Sequence, residues 1–300
     1  MRTFLRRLGT ALLFLLVALC FAPSLVPPFL DRIYYEGPPS GHFDGARFFN
    51  PDERARPRDT PPTRFFNRWL TGDGRANWPD QVPVSPSVPP RRVEGQRMLV
   101  TWIGHSTVLV QTNGLNILTD PIWSDRASPF SFAGPKRVRA PGVRFEDLPK
   151  IDLVLVSHNH YDHMDLPTLH RLVQRFHPRI VAGLGNAAFL KKAGIAGATD
   201  VDWWQSVELP GGVRLTGVPA VHWSARSLTD RGHTLWLGFV LESPATGRVY
   251  FAGDTGYGEL VFSMIHQRFT NSTRLAPSFS RRATSASMSS LSMSKWTREG

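Results

Sequence analysis

The stretch Leu153-Val154-Leu155-Val156-Ser157-His158-Asn159-His160-Tyr161-Asp162-His163 constrains this chain more than any other. A short run of apolar, partly β-branched residues reads as a buried strand, and a polar cluster directly after it lies at the strand's C-terminal end, where α/β folds place their chemistry. Four potential metal ligands, His158, His160, Asp162 and His163, fall within six residues. Residues two apart in extended or turning backbone can turn their side chains to one side, which groups His158 with His160. Asp162 and His163 follow in the turn and can serve a neighbouring position, an arrangement that suits two metal ions close together. The competing reading is a polar loop whose histidines cap a helix starting near Asp165.

The flanking sequence alternates strand and helix patterns. Met98 to Ile103, Thr107 to Gln111 and Leu115 to Thr119 read as short strands, with Asn113-Gly114 a strong hairpin signal. Leu166, Leu169, Leu172, Val173 and Phe176 recur at helical spacing, Arg179 to Ala182 suggests a strand, and Asn186 to Lys192 a second helix. Val213 to Val218 is β-rich and runs into Pro219-Ala220-Val221-His222. Leu235 to Leu241 and Arg248 to Ala252 read as a strand pair that ends at Gly253-Asp254-Thr255-Gly256. The class is therefore α/β. His222 is either a ligand or a core histidine. His105 sits in a strand-to-strand turn and reads as structural, or as a support behind a ligand. No Gly-rich phosphate loop is present, since Gly183-Leu184-Gly185-Asn186 lacks the third glycine and the lysine.

His158-x-His160-x-Asp162-His163 after a buried strand resembles the signature of the metallo-β-lactamase superfamily, mostly two-zinc hydrolases with an αββα sandwich fold. Thr101-Trp102-Ile103-Gly104-His105-Ser106-Thr107, Leu118-Thr119-Asp120-Pro121, Asp125-Arg126-Ala127-Ser128-Pro129 and Phe132-Ala133-Gly134-Pro135-Lys136-Arg137 are similar to the branch that holds N-acyl-phosphatidylethanolamine-hydrolysing phospholipase D and its bacterial relatives. The resemblance covers roughly Gly41 to Gly258. It implies two Zn²⁺ ions: His158, His160 and His222 at one, Asp162 and His163 at the other, and Asp254 bridging them. It implies hydrolysis of a glycerophospholipid phosphodiester by water activated between the metals, with Asp162 acting in catalysis as well as in metal binding. A lactonase or another ester- or amide-cleaving hydrolase of the same fold is the alternative, because the same metal pair activates water against carbonyls. A metal-binding remnant without turnover is a further alternative.

That last alternative comes from the carboxyl terminus. The resemblance calls for a histidine some tens of residues after Asp254, whereas the one histidine there is His266, inside Leu260 to Phe269, a plausible amphipathic helix. Residues 261–300 read as a Ser- and Arg-rich aberrant tail without a buried-strand pattern, expected to be disordered and to look like a shifted frame or truncation, so the sandwich would be incomplete and one zinc could be lost. At the other end, Arg2, Arg6 and Arg7 precede an uncharged run from Leu8 to Leu30, so residues 1–30 read as a membrane anchor with the domain on the extracytoplasmic side. A cleaved signal peptide, giving a secreted or periplasmic protein, is the alternative. Residues 31–95 read as a Pro/Arg-rich arm whose Phe48, Phe49, Phe65, Phe66, Trp69 and Trp78 pin it to the domain of residues 96–260, with contact to lipid as the alternative. The net charge of +11 comes from arginines spread along the chain, which argues for a solvated surface and against a nucleic-acid partner. The expected partners are phospholipid and membrane.

Overall fold

The computed structural model describes residues 7–17, 34–51, 79–227, 229–270 and, for the backbone alone, 293–295. Strands β1 (Met98–Gly104), β2 (Thr107–Thr112), β3 (Leu115–Thr119), β4 (Leu153–Val156), β5 (Arg179–Gly183) and β6 (Ala198–Val201) make one sheet in chain order. Its first three strands pair antiparallel and β3 through β6 run parallel. The second sheet is antiparallel, with β7 (Ser206–Leu209), β8 (Val213–Val218), β9 (Gly238–Ser243), β10 (Gly247–Phe251) and β11 (Met293–Lys295) side by side. The helices are α1 (residues 7–17), α2 (Leu166–Phe176), α3 (Asn186–Lys192) and α4 (Glu259–Thr270).

Strand alternation divides the apolar side chains between two interiors. Leu153 and Leu155 of β4 join Val108, Val110 and Ile117, and meet Leu215, Phe239, Leu241 and Phe251 of the second sheet. Val154 and Val156 point the other way, with Leu109 and Leu118, onto Leu169 and Leu172 of α2 and Leu190 of α3. Val261 and Ile265 of α4 cover Val218 and Val240 on the outer face of the second sheet. The layers are thus helix, sheet, sheet, helix, the expected αββα sandwich. β4 is buried on both faces, which is why it reads as a continuous apolar run.

The Asn113-Gly114 turn forms with φ of +49° and +71°, the two positive angles that a type I′ hairpin requires. Other expectations shift. The strand expected from Leu235 begins only at Gly238. The preceding residues instead cross to the first sheet: Leu235 N–H donates to Leu184 O (2.8 Å) and Leu237 N–H to Ser157 O (3.0 Å). β6 and β7 are four residues long with two apolar side chains each, too few to stand out in the sequence.

Phe43 and Phe48 are buried against the inter-sheet core, with Tyr35 beside them, whereas Phe49 is exposed. Phe65, Phe66, Trp69 and Trp78 lie outside the described residues, as do residues 18–30 of the uncharged run and most of the expected tail. Among the described residues no helix is long and apolar enough to cross a membrane.

Candidate metal centre

Every residue expected at the site comes from a strand end or the loop after one. His158, His160, Asp162 and His163 follow β4, His222 follows β8 and Asp254 follows β10. The two sheets bring these three loops together at one end of the sandwich. Val221 pairs with Gly256 across the β8 and β10 loops, and Gly253 lies against the β4 loop. A Cβ on Gly253 would stand 2.5 Å from Ser157 Cβ, and its φ is +60°, so glycine is required there on both counts.

Three imidazoles converge. His158 Nε2 lies 2.8 Å from His160 Nδ1, and His222 Nε2 is 3.2 and 3.3 Å from the same two atoms. Nitrogens around a tetrahedral metal with bonds of about 2.0–2.1 Å stand roughly 3.3 Å apart, so this triangle fits one face of such a site. Neutral imidazole carries one N–H, and three such rings cannot satisfy one another; a shared cation resolves the cluster. Burial drives the charge off all three. His158 is held well below the usual histidine range by desolvation and then by His163 and His222, while desolvation brings His160 down to about 4 and His222 down to about 3. They are unprotonated at neutral pH, as metal ligands must be.

A second group lies beside the first. The ligand atoms of His105, Asp162 and His163 are all within 4.8 Å of one another. His163 Nε2 is buried without a hydrogen-bond partner and lies 3.6 Å from Asp162 Oδ2 and 3.4 Å from Asp254 Oδ1. Asp254 Oδ2 is 3.9 Å from His222 Nε2, so its two oxygens face one group each, the disposition a bridging carboxylate needs. Burial opposes the charge on Asp162, yet hydrogen bonding from His105 and the charge of His163 hold its pKa far below the usual carboxylate range. Burial also works against charge on His163, but its Nδ1 bond to Asp120 and the nearby carboxylate of Asp254 outweigh this and raise it to about 10.

Three supporting residues escaped the sequence reading. Asp120, fully buried at φ +33°, accepts from Ser157 N–H (2.7 Å), Ser157 Oγ–H (2.6 Å) and His163 Nδ1–H (2.7 Å). With both oxygens so engaged it orients His163, and it also lies within ligand distance of His158 and His163. Arg226 donates to Asn159 O (2.9 Å) and Met164 O (2.8 Å), and its guanidinium stacks 3.9 Å from the Tyr161 ring, which braces the β4 loop from behind. Asn50 clamps the backbone of His222, donating to its carbonyl (2.9 Å) and accepting from its N–H (3.3 Å). Only Asp120 left a trace in the sequence, in the Thr119-Asp120-Pro121 motif; Arg226 and Asn50 act through backbone groups far away in the chain.

His266 is on α4, where its Nδ1 lies 3.2 Å from Thr270 Oγ1 on the exposed side, and it belongs to no ligand group among the described residues.

The β-lactamase superfamily domain matches residues 115–278, over half of the chain. The N-acyl-phosphatidylethanolamine-hydrolyzing phospholipase D 1 of Caenorhabditis elegans is 40% identical over 181 residues, 57% of this chain and 50% of that protein. The mitochondrial N-acyl-phosphatidylethanolamine-hydrolyzing phospholipase D of Saccharomyces cerevisiae is 35% identical over 179 residues, 59% of this chain and 38% of that protein. A UPF0173 metal-dependent hydrolase of Methanopyrus kandleri is 29% identical over 163 residues, 53% of this chain and 63% of that protein. The chain therefore spans half or less of the length of the two phospholipases it is similar to.

Proposed function

This chain belongs to the β-lactamase superfamily, and from that membership we propose that it is a zinc-dependent hydrolase cleaving the phosphodiester of N-acyl phosphatidylethanolamine-type phospholipids. The observation that carries the proposal is the pairing of a three-nitrogen cluster with a second group that holds Asp162 and His163, with Asp254 between them, 3.9 Å from His222 of the first and 3.4 Å from His163 of the second. Imidazole and carboxylate suit Zn²⁺. Bound at these residues, two zinc ions would lower the pKa of a water and polarise the phosphoryl oxygens.

The protein's own contributions follow from the geometry. His158, His160 and His222 present neutral nitrogens from three buried or half-buried rings, so they bind without first losing a proton. Asp162 stays ionised and part-exposed, at the open side of the cluster, where it would hold a metal ion and could accept a hydrogen bond from the attacking water and so orient it. Asp120 keeps the proton of His163 on Nδ1 and leaves Nε2 facing the cluster. The similarity to two phospholipases supports the phosphodiester substrate. The uncharged run from Leu8 to Leu30 after three arginines supports a membrane-anchored protein.

The test is a zinc determination on the purified chain beside hydrolysis of a bis-aryl phosphodiester, N-acyl phosphatidylethanolamine and a lactone. Phosphodiester preference is expected, with activity lost on chelation. Preference for the lactone would overturn the substrate assignment and favour a lactonase, and zinc without turnover on any of the three would favour the metal-binding remnant. The position of His266, on the exposed side of α4 and bonded within its own helix, is the observation on the side of that remnant.

A further inference from the structure

We propose that His105, from the turn between β1 and β2, is the third protein ligand of the second metal position, completing with Asp162 and His163 a site to which no histidine after Asp254 contributes among the described residues. The inference rests on the two-metal reading above and goes beyond it, since nothing in the spacing of the β4 motif points to a residue so far upstream.

The turn is built to aim this ring. His105 has φ +49°, a left-handed conformation that a non-glycine residue adopts at a cost of order 1 kcal/mol or more and keeps only where its surroundings hold it. They do so from two sides. Trp102 Nε1–H donates to His105 O (2.9 Å), and the guanidinium groups of Arg137 and Arg139 stand 3.5 and 3.8 Å from where a Cβ on Gly104 would be. Arg137 is itself tied to Ile122 O (2.9 Å), and Arg139 to Ile103 O (3.2 Å). The ring so placed brings Nε2 to 3.0 Å from Asp162 Oδ2 and lies 5.0 Å from the His163 ring.

The partners point to the same spot. His163 Nε2 is fully buried and unbonded, aimed at the space that Asp162 Oδ2 and His105 Nε2 border. Two nitrogens and one carboxylate oxygen, with Asp254 adjacent, are a donor set that suits zinc. His105 and Asp162 are each about a third exposed, 36% and 40%, which leaves one side open to water and substrate, as a catalytic site requires. A simpler role is that His105 only hydrogen-bonds Asp162 and holds it in place, and the experiment separates the two.

The full chain and its His105→Ala and His105→Gln variants are dialysed against cobalt(II) and, separately, zinc(II), and bound metal is counted alongside the visible cobalt spectrum. Glutamine can still donate to Asp162 but has no imidazole nitrogen to offer. Two equivalents are expected in the parent and one in both variants, with the three-histidine portion of the cobalt spectrum kept in all. That retained equivalent also shows that the variants fold. Two equivalents in the glutamine variant would reduce His105 to a positioning residue and overturn the proposal, as would two in the alanine variant. One equivalent in the parent, already at the three-histidine group, would overturn this inference and leave the proposed function standing. No bound metal in the parent would overturn both.

Discussion

Replacing Asp120 by asparagine should loosen the second metal position while sparing the first. The carboxylate is fully buried and accepts three hydrogen bonds, all of 2.6–2.7 Å. An asparagine of the same shape has one acceptor oxygen and one amide nitrogen. With the oxygen towards Ser157 N–H, the amide faces His163 Nδ1–H, donor against donor. Turned over, it serves His163 and meets Ser157 N–H with the same conflict. One buried donor is left unpaired either way, which costs about 1–3 kcal/mol. His163 escapes the first conflict by moving its proton to Nε2, which takes the lone pair off the atom that faces Asp162 and Asp254. Loss of such an orienting partner typically costs about 10–100-fold in metal affinity, or about 1.4–2.7 kcal/mol. Denaturant melts of the metal-free protein read the first quantity, and competition against a chelator of known affinity reads the second. The three-histidine group serves as the internal control, since His158 can still donate from Nδ1 to Ser157 Oγ at 2.9 Å. Unchanged affinity for both equivalents would refute the role given to Asp120.

Lowering the pH from 8 to 5 should release metal from the Asp162–His163 position well before the three-histidine group. His163 is raised to about 10 in the metal-free chain, so binding there expels a proton and affinity falls up to tenfold per pH unit as pH drops; His160 and His222, brought down to about 4 and 3, begin to compete with metal only near those values. Equilibrium dialysis across that range checks the order of release, and simultaneous loss would refute it. Leu172→Ala removes a side chain that is 0% exposed between α2 and the first sheet, and should destabilise by about 2–5 kcal/mol in a denaturant titration. Deleting residues 1–30 should move the protein from the membrane pellet to the supernatant, and monodisperse protein that stays in the pellet would assign membrane contact to another segment.

The parts of this molecule legible in the sequence are those where one local pattern has one physical cause. β4 is buried on both faces, so it had to be a short apolar run, and the Asn113-Gly114 turn needs two positive φ values that few residue pairs supply. The β4 motif was legible because four polar, metal-ligating side chains follow a core strand at a spacing that turns them to one side. His222 and Asp254 stood out as polar residues at strand ends, although only the resemblance gave them a role. What stayed hidden depends on contacts between segments far apart. Leu235 to Leu237 carry the apolar signature of a strand, but their N–H groups are spent on Leu184 and Ser157 of the other sheet, so the ladder of β9 starts later. His105 looked structural because sequence distance says nothing about a hairpin turn that the sandwich folds over the β4 loop.

The two halves of the candidate site are also tied together by a single buried group. Ser157 Oγ–H donates to Asp120, so its oxygen is left to accept from His158 Nδ1–H, and His158 Nε2 then faces His160 and His222 with its lone pair. The same carboxylate accepts from His163 Nδ1–H and turns that ring's Nε2 to the other group. One charge, placed at 0% exposure by the β3 end, thereby fixes the tautomer of one histidine in each half. A neutral residue at position 120 cannot do both, because it offers too few acceptors to keep Ser157 donating and His163 donating at once. Glycine at position 253 is the other condition of this arrangement: any side chain there would strike Ser157 and push apart the hydroxyl relay on which the orientation of both rings depends.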